Sequence, residues 1–337
     1  MGNLIRTAWR TLLPGLALLL VAAQAGANTL TQNVSWTIDR AGTTTKYRVV
    51  AYGDSIYAGY NGSVTSAAKY AAPTVDAEYL AAKWNADIES VRRAKSGAVA
   101  SDIYNNKIVA ERSYMQASST RVVTFEMCGN DGLQARSSFK SQTGTCNYAG
   151  MDAAVNSCKT YVAAAMDYIN ANAYTGTKVK IVSNLYYPGY AADNVQSSCK
   201  DAGTGATVNL RNVFLPRVAK MNYWMCEYAR LKGFQCTDNF AQYMGADYDT
   251  NGDGVVDSEG LRYRVGDSEA TYVDRITTTL RSTIRDANAH SPRRAAATTT
   301  SSPTTPTRRT PAAPSTPDCS AAPPAPVRPA TRRSPAE

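Results

Sequence analysis

The sequence predicts an α/β domain whose parallel sheet carries helices on both faces. Three observations predict it: β-rich apolar runs alternate with segments of helical spacing, polar turns follow three successive strand runs, and the two ends of the 337-residue chain differ so much in composition from the middle that one domain is left between them.

In chain order, the first strand run is Lys46 to Tyr52 (KYRVVAY), which leads directly into Gly53-Asp54-Ser55. Val75, Tyr79 and Ala82 then fall at i, i+4 and i+7, which predicts a helix over Val75 to Asn85. A strand candidate occupies Ile88 to Arg93, and a clear strand run Arg121 to Met127 (RVVTFEM). Met151 to Asn172 predicts a long helix, with Tyr161, Val162, Ala165, Met166 and Ile169 at helical spacing. Lys178 to Leu185 is the next strand. Asn209 to Lys232 is helical and stops at Gly233, before a short strand at Phe234 to Thr237 and a last helical segment from Glu269 to Asn288. Ligands of such open α/β sheets bind at the carboxyl ends of the strands.

The ends read differently. Met1 to about Ala27 carries Arg6 and Arg10, an apolar run from Leu12 to Ala23, and small residues at Ala25-Gly26-Ala27: a secretory signal peptide over residues 1–27, too short in its apolar run for the roughly 20 residues of a spanning helix. Residues 290–337 are nearly all Pro, Ala, Thr, Ser and Arg, a composition that cannot bury a core and reads as a disordered tail. The tail holds seven Arg against Asp318 and Glu337; with Arg6 and Arg10 this accounts for +7 of the formal +9 and leaves +2 for residues 28–290. The basic pI therefore belongs to the ends, and a nucleic-acid role loses its main support. The domain between them spans residues 45–289.

Six of the seven cysteines (Cys128, Cys146, Cys158, Cys199, Cys226, Cys236) lie in the domain and Cys319 in the tail. An even six in an exported chain predicts three disulfides; six cysteines allow 15 pairings, of which Cys226 with Cys236 is favoured by its short loop.

Three polar turns carry the chemistry. Tyr52-Gly53-Asp54-Ser55 ends the first strand, where glycine permits a tight turn and a serine hydroxyl stands at the sheet's carboxyl edge. Lys95-Ser96-Gly97 follows the second strand run, and Cys128-Gly129-Asn130-Asp131 the third. Their order and placement resemble the SGNH, or GDSL, hydrolase superfamily of esterases and lipases, over about residues 45 to 245. The resemblance implies a three-layer, flavodoxin-like sandwich with a central parallel sheet. It also implies Ser55 as nucleophile, and an oxyanion hole completed by the Gly97 backbone and the Asn130 side chain. Cys128 departs from the pattern, standing where the family usually has glycine.

The family's base is the histidine of a DxxH pair, and here the sequence departs further. The one histidine is His290, spaced four from Asp286, and Glu259 to Arg262 offers arginine where histidine would stand; a guanidinium stays protonated and cannot take a proton. One reading is that the tail is an out-of-frame translation: codons permitted for Thr304 to Arg308, read one base earlier, encode Asp-Asp-Thr-His-Pro. The rival is a genuine Pro/Thr-rich tail, and the underlying DNA decides between them: no DxxH in a neighbouring frame ends the first.

Asp249, Asn251, Asp253 and Asp257 fall at positions 1, 3, 5 and 9 of a loop with Gly254 at position 6, a spacing similar to EF-hand and dockerin calcium loops, here an insertion near 247–260. Gly260 stands at position 12, where an acid normally closes the site, and Glu259 is one residue early. A structural calcium is expected on Asp249, Asn251, Asp253, Asp257 and Glu259; a calorimetric titration without binding at millimolar calcium ends that expectation. Catalysis needs no cofactor.

The sequence thus predicts a secreted serine ester hydrolase acting through an acyl-enzyme on a lipid, an acetylated glycan or a small ester. The alternatives are a catalytically inactive relative that binds a glycan or lipid in the same cleft, and a calcium-stabilised envelope-associated protein.

Overall fold

The computed structural model describes residues 31–60, 68–186, 193–245 and 260–282. The chain divides after Arg293, and every described residue lies in the N-terminal unit. The signal-peptide segment, the calcium-loop residues Asp249, Asn251, Asp253, Asp257 and Glu259, the pair Asp286 and His290, and the whole tail with Cys319 lie outside the described residues.

The strands are β1 (Thr31–Ile38), β2 (Lys46–Gly53), β3 (Asp87–Lys95), β4 (Thr120–Phe125), β5 (Val179–Ser183), the pair β6 (Gln196–Lys200) and β7 (Thr207–Asn209), and β8 (Gln235–Thr237). Six of them form one sheet in the order β1-β3-β2-β4-β5-β8, and β6 with β7 forms a separate two-stranded sheet. All neighbours in the large sheet are parallel except β1, which lies antiparallel along β3 at the edge. β1 carries too few apolar residues (TQNVSWTI) to announce itself as a strand, which is why the sequence reading begins one strand late.

The main helices are α1 (Ser55–Ala58), α2 (Ala72–Trp84), α3 (Gly129–Lys140), α4 (Ala149–Asn172), α5 (Leu210–Lys232), α6 (Asn239–Gly245) and α7 (Glu269–Ser282). Between β3 and β4 the chain makes short helical turns at Ala100–Asp102 and Ser113–Gln116 around a π-helical turn at Ile103–Val109.

Alternate strand residues serve opposite layers. Val49 and Val122 face α2, packing with Ala77 and Ala81. Val50, Tyr52, Val123 and Phe125 face the other way, onto Val162, Met166 and Ile169 of α4 and Met221 and Met225 of α5. This gives three layers, with the thicker helical layer on the α4/α5 side.

The helix α2 forms where expected, but Val75, Tyr79 and Ala82, the residues whose spacing predicted it, are exposed, Tyr79 to 62%. The buried stripe is Pro73, Thr74, Ala77 and Ala81. Small side chains let this helix lie close to the sheet, so the tight contact is made by residues that carry little hydrophobic signal.

The helix α5 begins and ends as read: the Asn209 side chain accepts from the Arg211 backbone N–H, and Gly233 closes the helix at φ +74°, a conformation glycine adopts at no steric cost. The cysteines pair as Cys128–Cys158, Cys146–Cys199 and Cys226–Cys236, the last being the favoured short loop.

Candidate active site

From β2 the chain turns to one side of the sheet to form β3, and then crosses to the other side to form β4. The carboxyl ends of β2 and β4 therefore flank the point where strand order reverses, the crevice in which open α/β sheets bind ligands. The Ser55 and Asn130 segments leave from these two ends.

At the end of β2 the turn admits no side chain: a Cβ on Gly53 would stand 2.7 Å from Cβ of Tyr57 and 2.9 Å from Cγ of Glu126. Asp54 follows, almost wholly buried, and caps α1 by accepting from the Ile56 backbone N–H at 2.9 Å. Ser55 is the first residue of α1 and half-buried, its Oγ 3.5 Å from Oδ1 of Asp54. The other end of this short helix is held by Arg92 of β3, whose Nη1 donates to the carbonyls of Ala58 and Ala68 at 3.0 and 2.9 Å. Arg92 is fully buried over the Trp36 ring, and that burial lowers its pKa to about 10.

Gly97 lies just past β3 at φ +76°, and among the described residues its N–H meets no acceptor. Asn130, in the first turn of α3, donates from Nδ2 to Oδ2 of Asp54 at 3.0 Å and to the carbonyl of Ala98 at 2.9 Å. Asp54 is thus the hub that ties the serine turn to the asparagine turn, and Asn130 ties both to the Gly97 loop. Asp131 secures the same loop from the other side, accepting from the Ala100 N–H at 2.7 Å and from the Ser157 hydroxyl at 2.9 Å.

Cys128 adopts φ +82°, a left-handed conformation that favours glycine. Its bond to Cys158 of α4 fixes it there. The departure from glycine at this position thus comes with a covalent tether that holds the same backbone shape.

One acid stands out that the motif reading passed over. Glu126, one residue beyond β4 and 6% exposed, accepts through Oε1 from the backbone N–H groups of Asp54 and Tyr57, at 3.0 and 3.3 Å. Its carboxyl also meets that of Asp54. Burial, and then the neighbouring Asp54 charge, push Glu126 well above the usual carboxylate range, and burial raises Asp54 as well. The signal in the sequence was an acid inside an otherwise apolar strand run.

An apolar cleft of about 120 Å³ opens beside Ser55, walled by Ile56, Leu133, Met151, Leu185, Phe214 and Met221. At the end of β8, Asp238 accepts from Asn184 Nδ2, the Ala241 N–H and the Tyr263 N–H, at 2.8, 3.1 and 2.8 Å. It braces α6 and the segment carrying Leu261 to Tyr263, and Arg262 itself gives its carbonyl to Arg275. No histidine occurs among the described residues.

Ser55, Gly97 and Asn130 are therefore brought together at one sheet edge, while the calcium-loop residues and His290 lie outside the described residues. No protein-family model and no curated protein matches the chain. Solved structures similar to it include lipases and esterases. They include a lipase from a goat rumen metagenome (18% identity over 60% of this chain and 84% of that one, TM-score 0.44). A phospholipase A1 from Streptomyces albidoflavus matches at 20% identity over 59% and 82% of the two chains, TM-score 0.38. AlinE4, an SGNH-hydrolase family esterase, matches at 12% over 72% and 96%, TM-score 0.37. At these identities the chemistry has to be read from the chain's own residues. Among the described residues no helix is long and apolar enough to cross a membrane.

Proposed function

We propose that the chain is a secreted serine ester hydrolase of the SGNH type. The observation that carries this reading is the joining of Ser55 and Asn130 through Asp54 at the point where strand order reverses, beside an apolar cleft. Ser55 Oγ adds to the ester carbonyl carbon and gives up its proton. The carbonyl oxygen takes the negative charge and is met by the Gly97 N–H and by Asn130 Nδ2. Collapse expels the alcohol and leaves the acyl group on Ser55, which water then removes.

Asn130 spends its Nδ2 donors on Asp54 and Ala98 in the resting site, so one of these bonds is exchanged for the oxyanion. The proton leaving Ser55 has to pass to a base and on to the departing alcohol, and among the described residues no imidazole stands to act as that base. Three cysteine pairs at bonding distance support an oxidising, extracellular setting.

The test is hydrolysis of p-nitrophenyl acetate by the wild type and by Ser55→Ala. The expected outcome is a fall of about a thousandfold or more in kcat on substitution. The second reading, an inactive relative that binds a lipid or glycan in the same cleft, is favoured by the absence of an imidazole among the described residues; equal, background-level rates for both proteins would establish it over the first.

A further inference from the structure

The resting site contains a second acid that the serine chemistry does not use, bound to the backbone of the turn that carries the nucleophile. Glu126 Oε1 takes the backbone N–H groups on both sides of Ser55, those of Asp54 and Tyr57. Its carboxyl also meets that of Asp54, whose own oxygens are committed to Ile56 N and Asn130 Nδ2. Two carboxyl groups in contact in a buried place cannot both stay ionised, and a single proton held between them turns repulsion into a hydrogen bond.

We propose that Glu126 is a positioning residue for Ser55: as a neutral acid it donates its proton to Asp54 while accepting from the Asp54 and Tyr57 backbone, and so fixes the serine turn and, through Asp54, Asn130 as one unit. This rests on Ser55 being the nucleophile. The glycine at 53 fits the same purpose, since a Cβ there would stand 2.9 Å from Oε1 of Glu126.

Loss of that proton puts a second negative charge against Asp54. Among the described residues, the titratable groups that face the pair are Tyr57 of α1, whose hydroxyl is held by Thr124 of β4 and Ser183 of β5, Tyr186 beyond β5, and Asp131 of α3. Ionisation of Glu126 therefore repels Asp54 and loosens the turn, and reactivity of Ser55 falls on the alkaline side.

The experiment measures the rate at which a short-chain fluorophosphonate labels the full chain across pH, for the wild type, Ser55→Ala, Glu126→Ala and Glu126→Gln, alongside the infrared band of a protonated carboxyl over the same pH range. Glutamine keeps an oxygen for the two N–H groups and an N–H for Asp54. The expected results are labelling about a hundredfold slower in a Glu126→Ala chain that still folds, labelling within tenfold of wild type in Glu126→Gln with the alkaline fall gone, and a carboxyl band lost in Glu126→Gln but kept in Ser55→Ala. Wild-type labelling in Glu126→Ala, an unaltered alkaline fall in Glu126→Gln, or no protonated carboxyl in the wild type above the pH at which a free carboxyl ionises would overturn the proposal. If Glu126→Ala does not fold, the glutamine variant and the band decide. Labelling of Ser55→Ala as fast as wild type would instead remove Ser55 as nucleophile, a separate failure that the infrared band does not share.

Discussion

At the scale of single residues, Asp54 and Glu126 are the two groups on which the site turns. Ser55 was legible in the sequence because Gly-Asp-Ser closes an apolar strand run, and glycine there is demanded by contacts of 2.7 and 2.9 Å. Glu126 was not, since its partners Asp54 and Tyr57 lie 72 and 69 residues away and only the fold brings them to it. Its raised pKa makes a stability claim with a definite sign. The folded-state value exceeds the unfolded one of about 4.3, so its contribution is fully present below that pH and is lost as pH rises through the folded value, at ~1.4 kcal/mol per unit of difference. Melting temperatures measured from pH 4 to pH 9 are expected to show Glu126→Gln gaining on the wild type as pH rises, by about 2–4 °C for each kcal/mol. Parallel curves would mean that Glu126 ionises as freely in the folded chain as in the unfolded one.

At the scale of elements, the polar turns were read more accurately than the helix faces. α5 was legible at both ends because Asn209 and Gly233 have only one good use there, as caps. α2 was legible as a helix but not in its orientation, because its buried stripe of Ala77 and Ala81 is small and its exposed stripe of Val75 and Tyr79 is not. The turn before α3 explains a departure that the sequence left open: Cys128 sits at φ +82° and is held by Cys158. Removing that tether costs about 3–4 kcal/mol for a loop of 30 residues. Two proteins that lack this one disulfide separate the tether from the backbone shape. Cys128→Gly/Cys158→Ala is expected to be more stable to urea than Cys128→Ala/Cys158→Ala by about 1 kcal/mol, because glycine accepts the left-handed conformation without the strain that alanine brings. Equal stabilities would show that the turn relaxes once the bond is gone.

At the scale of the molecule, the alternation of strand and helix was enough to predict a parallel sheet and to place the three polar turns at its carboxyl edge. The antiparallel edge strand β1 and the β6–β7 pair were missed for want of apolar residues. The large sheet reverses its strand order beside β2, and that reversal brings Ser55, Gly97 and Asn130 to one sheet edge, with an apolar cleft beside Ser55. Treating the full chain with a short-chain fluorophosphonate and mapping the adduct by peptide mass spectrometry tests whether that crevice is an esterase site. The expected result is one adduct per chain, carried on Ser55, formed about a hundredfold more slowly in Asn130→Ala and absent in Ser55→Ala; a chain that stays unlabelled, or one labelled at another serine, would contradict an esterase site here.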